Sequence, residues 1–165
     1  MSGQIYLLDA NVFIEAAQGY YAFELAPGFW QALLYHAVNG RIQSIDRVKD
    51  ELQRINDELK DWVNGDFHVF FVSTDQPDVI EAYRKIMEWV DRSSQFLAAA
   101  KAAFAKDADG WLVAYAMAKS CVVVTHEQFS PETKRRVPIP NMCKAFGVPY
   151  VNTFQMLRDL GVKLR

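Results

Sequence analysis

Gln4-Ile-Tyr-Leu-Leu-Asp-Ala-Asn-Val-Phe-Ile14 runs apolar, turns polar at Asp9 and Asn11, then turns apolar again. Its first half has the character of a short strand buried on both faces, as in a parallel sheet covered by helices. Asp9 falls where that strand must end. A carboxylate there is costly to desolvate unless a cation or a hydrogen-bond network receives it. In open α/β sheets, ligands bind in the crevice at the carboxyl ends of the strands. Asp9 is therefore a candidate functional residue. The plainer alternative is an Asp that caps the helix starting near Ala10.

The rest of the chain repeats the strand–helix alternation. Strands are expected at about 5–8, 42–44, 67–73, 122–125 and 150–152. The helices between them carry apolar stripes, clearest in Val48, Leu52, Ile55, Leu59 and Trp62 of one helix expected over about 46–63. Gly65, Ser93-Ser94 and Gly147 break or end helices, and Thr153 is expected to cap the last one. Alternation of this kind predicts a parallel sheet of four to five strands with helices on both faces. With 165 residues and no linker or repeat, the chain reads as a single domain over 1–165 with a substantial core.

Composition narrows the function. A formal net charge of −2 argues against nucleic-acid binding through a bulk positive field, though a local basic patch is compatible with it. Cys121 and Cys143 form no C-x-x-C and read as buried thiols in a reducing cytosol. No secretory signal is visible, and the longest apolar run, Trp111 to Ala118, is far short of a membrane span. A cytoplasmic protein is expected. His126-Glu127 is not the start of a zincin motif, because Ser130 stands where the second His must be. His68 reads as a packed, hydrogen-bonded residue.

Four acids share one kind of place: Asp9, Glu51, Asp109 and Glu127 each lie near a strand's carboxyl end or a helix start. Glu51 sits on the edge of its helix's apolar stripe, and Glu58 occupies a similar angle two turns on. Asp109 has Asp107 beside it, and acids are also favoured in a helix's first turn by its dipole. Two carboxylates ~4 Å apart repel by about 4 kcal/mol at an effective dielectric of 20. A gathering of four would need protonation or a cation. With no His or Cys beside them, the donors are hard oxygens, which suit Mg²⁺ or Mn²⁺. Such ions serve in-line phosphoryl displacement.

Leu7-Leu-Asp9-Ala-Asn11-Val-Phe-Ile14, Glu51-Leu52, Asp109-Gly-Trp-Leu-Val-Ala-Tyr-Ala116 and Val123-Val-Thr125-His-Glu127 resemble, in order and separation, the four acidic motifs of the PIN-domain family. Ile139-Pro-Asn-Met-Cys143 through Phe146-Gly-Val148, with the closing helix, resembles an uncharacterised PIN subgroup. The resemblance implies a three-layer α/β/α sandwich and metal-dependent cleavage of single-stranded RNA. Many such domains are VapC-type toxins of toxin–antitoxin pairs, often dimeric, so an antitoxin partner and a homodimer are implied as well. Carried over, Asp9, Glu51 and Asp109 would be the principal metal ligands, with Glu127 a fourth acid acting directly or through water. Asn11 and Thr125 would orient them, and Asp107 could substitute for Asp109. Two positions depart from the pattern: Ala10 replaces a common Thr or Ser, and Glu127 replaces a more usual Asp.

The leading expectation is thus a Mg²⁺- or Mn²⁺-dependent endoribonuclease. The alternatives are a non-catalytic interaction module, using the aromatic segment from Tyr20 to Trp30, and a metal-dependent phosphoryl hydrolase acting on DNA or nucleotides. Lys134, Arg135 and Arg136, in the loop after Glu127, are candidates for binding RNA phosphates; a solvated charge run is the plainer reading.

Overall fold

The computed structural model describes residues 3–55 and 57–164. Its elements are β1 (Tyr6–Leu8), α1 (Ala10–Gln18), α2 (Pro27–Val38), β2 (Ile42–Ile45), α3 (Asp46–Leu52), α4 (Asp57–Asn64), a 3-10 helix (Asp66–Phe70) and β3 (Phe71–Val72). They continue with α5 (Pro77–Arg92), α6 (Ala98–Phe104), α7 (Asp109–Lys119), β4 (Val122–Val124), α8 (Ile139–Phe146), β5 (Tyr150–Val151) and α9 (Thr153–Asp159). The strands form one parallel sheet in the order β3-β2-β1-β4-β5.

The central strands are apolar because both of their faces are covered. Leu7 and Leu8 of β1 and Val123 and Val124 of β4 are fully buried. From β1 the chain winds outward through β2 to β3, then crosses back to β4 and on to β5. Right-handed crossovers in opposite directions place their helices on opposite faces. One layer packs α1, α3 and α4 together, and the other packs α5, α7 and α8. This is the three-layer sandwich that the strand–helix alternation predicts. The order reverses between β1 and β4, so the crevice of such a sheet opens at their carboxyl ends. Leu8 pairs with Val124 there, which brings the next residues of the two strands, Asp9 and Thr125, side by side.

Two expected elements differ. The helix expected over 46–63 is two helices, α3 and α4, with a turn after Leu52; Asn56 lies outside the described residues. Gln53 and Asn64 exchange two side-chain hydrogen bonds, of 2.7 and 3.0 Å. In a straight helix residues eleven apart would be separated by about 16 Å, so that pairing requires the break. The apolar stripe continues through it, with Val48, Leu52, Leu59 and Val63 all buried.

The strand expected over 67–73 begins as the 3-10 helix, leaving only Phe71–Val72 in the sheet. Three residues per turn put Phe67 and Phe70 on the same side, where a strand would oppose them. Their rings lie 5.5 Å apart, and Phe67 also meets Phe13, Trp62 and Phe71. Aromatic packing overrides strand propensity there. His68 is exposed, with Nδ1 2.8 Å from the Gly65 carbonyl oxygen.

Asn152, not Thr153, caps α9, its side-chain oxygen accepting the Gln155 amide at 2.8 Å. Cys121 and Cys143 are free and buried. Among the described residues no helix is long and apolar enough to cross a membrane.

Candidate active site

Asp9 follows the last residue of β1 and is 2% exposed. It stands at the N-cap of α1, where the Asn11 amide of the first turn favours its ionised form without making a well-formed capping hydrogen bond. Thr125 at the end of β4 donates its hydroxyl to Asp9 Oδ2 at 3.1 Å. The same Thr125 oxygen accepts the Glu127 amide at 3.1 Å, tying two acid-bearing segments to one hydroxyl. Thr125 is thus placed as expected. Asn11 differs: its side chain faces solvent, and only its backbone amide contributes to stabilising ionised Asp9. The side chain at the second residue of a helix that buries its opposite face has nowhere else to point.

The other acids arrive from both layers. Glu51 lies in the last turn of α3, half-buried, facing the Ala108 amide that precedes α7. Asp109 is the first residue of α7, and its amide is held by Asp107 Oδ1 at 3.0 Å. Asp107 closes the turn leading into α7 and supports Asp109 locally, while remaining within electrostatic reach of Glu51 and Glu127. Asp9, Asp107, Glu127 and Glu51 all lie within electrostatic reach of the Asp109 carboxyl. The four acids singled out by sequence thus share one electrostatic neighbourhood around Asp109, with Asp107 as a fifth.

Burial dominates the titration of this group. It raises the Asp9 and Asp109 carboxyls well above the usual range, and the surrounding carboxylates raise them further. Asp107 is pushed up to about 6 by burial first, with Glu51 and Glu127 adding to it. Burial also raises Glu51, against the Ala108 amide and Arg54. Every one of these shifts has burial as its leading cause, and neighbouring carboxylates add to it at Asp9, Asp107 and Asp109.

Glu127 is held by groups from outside the cluster. Its Oε1 accepts the Ile139 amide at the start of α8 at 2.9 Å and pairs with Arg136 Nη2 at 2.8 Å. The longer reach of Glu lets it span to α8. Of the three basic residues in the loop, Arg136 is the one that engages the acids; Lys134 and Arg135 are exposed. The Lys134 carbonyl oxygen accepts the Leu97 amide at 2.9 Å, which holds the loop to the start of α6.

Sequence reasoning missed two supports. Buried Asn141 accepts the Ser130 amide at 3.0 Å and donates to the Ser130 carbonyl at 2.7 Å, clamping the loop after Glu127 to α8. A lone amide side chain inside Ile139-Pro-Asn-Met-Cys143 was the available signal. Arg47, in the first turn of α3, lies 4.0 Å over the Trp111 ring, which stacks on Tyr83 at 3.7 Å. No sequence spacing announces that stack.

The donor set suits a hard divalent cation: carboxylate oxygens alone, partly uncompensated, at a sheet's carboxyl edge. Among the described residues no three His, Cys, Asp or Glu side chains lie close enough together to hold a metal ion as they stand. The fit lies in the chemistry of the donors.

The fold is that of an α/β protein of PIN-like architecture. The family model described as "Domain of unknown function (DUF4411)" matches residues 6–164, and the chain belongs to that family. Comparison with curated proteins finds no match. Among solved structures, the chain is similar to one in the crystal structure of FitAcB from Neisseria gonorrhoeae, at a TM-score of 0.56 and 19% identity, covering 91% of this chain and 99% of that one. It is also similar to one in the crystal structure of VapBC2 from Rickettsia felis bound to a DNA fragment from their promoter. That match has a TM-score of 0.55 and 14% identity, and covers 90% of this chain and 98% of that one. At these identities the likeness is one of fold.

Proposed function

We propose that the protein is a Mg²⁺- or Mn²⁺-dependent endoribonuclease that hydrolyses RNA phosphodiester bonds, acting as the toxin of a toxin–antitoxin pair. The observation that carries this reading is the placing of Asp9 beside Thr125 at the carboxyl ends of β1 and β4, with Glu51, Asp109 and Glu127 within electrostatic reach. Asp9, Glu51 and Asp109 would hold the ion. When bound, it would supply an activated water and charge stabilisation for the departing oxygen. Thr125 orients Asp9, and Asp107 fixes the backbone from which Asp109 projects. Glu127, with Oε1 committed to Ile139 and Arg136, acts through its remaining oxygen or through water.

Lys134, Arg135 and Arg136 would bind RNA phosphates beside the acids. The fold likeness to chains of VapBC2 and FitAcB supports an antitoxin partner, and the resemblance to PIN-domain toxins supports a homodimer. The test is cleavage of single-stranded RNA, with DNA and nucleotides as competitors. Cleavage requiring Mg²⁺ or Mn²⁺, stopped by EDTA and lost in Asp109→Asn, is expected. Cleavage undiminished by EDTA or by that substitution overturns the reading.

A further inference from the structure

The aromatic rings from Tyr20 to Trp30 mostly pack inward. Tyr21 stacks on Phe29 at 4.4 Å and Phe23 on Trp30 at 4.1 Å, and Trp30 Nε1 donates to the Tyr21 carbonyl at 2.7 Å. Tyr20 is the exception among them, at 94% exposed. It lines a cleft of about 230 Å³ between the end of α1 and the start of α9, together with Glu15, Ala16, His126, Thr153 and Phe154. Phe154 is itself 48% exposed. His126 forms the wall nearest the acids: it follows Thr125, the residue bonded to Asp9. Its Nε2 lies 2.8 Å from Thr153 Oγ1, which fixes the ring, and Phe154 meets it edge-on at 6.4 Å.

We propose that this cleft binds one unpaired base of single-stranded RNA, the nucleotide next to the phosphate held at the acids. The inference rests on the nuclease reading for its substrate class. Charge selects the base over the phosphate: among the described residues no Lys or Arg lines the cleft, and Glu15 would repel a phosphate. Exposed aromatic faces are what an unstacked base uses, and stacking tolerates any base. Glu15 offers an acceptor to a base carrying an amino group. The volume suits a flat ring and is below that of larger ligand pockets.

The experiment uses short single-stranded RNA carrying 2-aminopurine, whose fluorescence is quenched on stacking. Ca²⁺ replaces Mg²⁺, and RNA integrity is checked on a gel. The wild type is expected to quench the base, Tyr20→Ala and Phe154→Ala to weaken binding about tenfold each, and Tyr20→Phe to restore it. Tyr20 is so exposed that its replacement cannot unfold the chain, and circular dichroism controls for Phe154. Quenching unchanged in both alanine variants, or absent from the wild type, overturns the proposal. So does Tyr20→Ala dissolving a homodimer while quenching persists, which would make the patch a self-association surface. The two readings fail separately. Quenching by a protein that cleaves no RNA in Mg²⁺ or Mn²⁺ removes the nuclease and keeps the cleft; cleavage with quenching indifferent to Tyr20 and Phe154 does the reverse.

Discussion

Arg136 Nη2 lies 2.8 Å from Glu127 Oε1, the oxygen that also accepts the Ile139 amide. The pair joins the basic loop to the acid cluster and places one side-chain cation beside charges that otherwise repel. Arg136 is 58% exposed but Glu127 only 10%, so Arg136→Gln leaves a buried carboxylate with one partner fewer and is expected to lower a urea unfolding midpoint. Removing a competing positive charge is expected to tighten Mn²⁺ binding measured by calorimetry. For RNA, replacing Lys134, Arg135 or Arg136 by Gln is expected to flatten the logarithmic salt slope by about 0.7 for each phosphate no longer neutralised. Unchanged slope in all three single variants would show that the loop does not touch phosphate.

Thr125→Val keeps the shape of the side chain and removes the hydroxyl that binds Asp9 and the Glu127 amide. Groups that orient a metal's ligands commonly contribute 10- to 100-fold in affinity. A loss of about that size in Mn²⁺ affinity is expected, with Thr125→Ser recovering most of it. Equal affinity in the Val and Ser variants would contradict this role.

The carboxyl cluster sets a pH dependence whose sign follows from the raised values. A carboxyl with a folded pKa above its unfolded one binds more protons when folded, so stability falls as pH rises between the two. For Asp107 that window runs from about 4 to about 6. For Asp9 and Asp109 it extends higher. Metal-free protein is thus expected to lose thermal stability from pH 5 to pH 8, and Asp109→Asn to lose less of it. Saturating Mn²⁺ should raise the Tm more at pH 8 than at pH 5. A Tm of the metal-free protein that climbs over this range would show that the acids are not clustered.

Gly110, beside Asp109, has no room for a side chain: a Cβ there would lie 2.7 Å from Phe104 Cζ and 3.0 Å from Tyr83 Cε1. Phe104 is buried, so its ring cannot swing out. Gly→Ala in a helix gains up to about 1 kcal/mol from propensity, whereas overpacking costs about 1–3. Packing wins, and Gly110→Ala is expected to destabilise the fold in urea titration. A stabilised variant would mean that α6 yields easily.

The sheet was legible because it rests on local signals: short apolar strands with polar residues at their ends, and helices with stripes of helical spacing. The break after Leu52 was not, since the stripe from Val48 to Leu59 continues across it and only the long-range Gln53–Asn64 pairing demands a turn. The 3-10 helix at Phe67 was hidden by its composition, because aromatic residues favour strands until rings from elsewhere in the chain claim them. Glu127's attachment to Ile139 and Arg136 depends on the path of the loop, which no spacing encodes. Asn11 fits the acidic motif by position, but the structure turns its side chain outward and keeps only its amide near Asp9.

If Asp9, Glu51 and Asp109 form a divalent-ion site, the ion itself can be seen there. Crystals of the wild type grown with Mn²⁺ test this directly through anomalous scattering at the manganese edge. The expected result is a peak bounded by carboxylate oxygens of those three residues and absent in Asp9→Asn. A well-ordered site with no peak among them at saturating Mn²⁺, or a peak held by other residues, would contradict it.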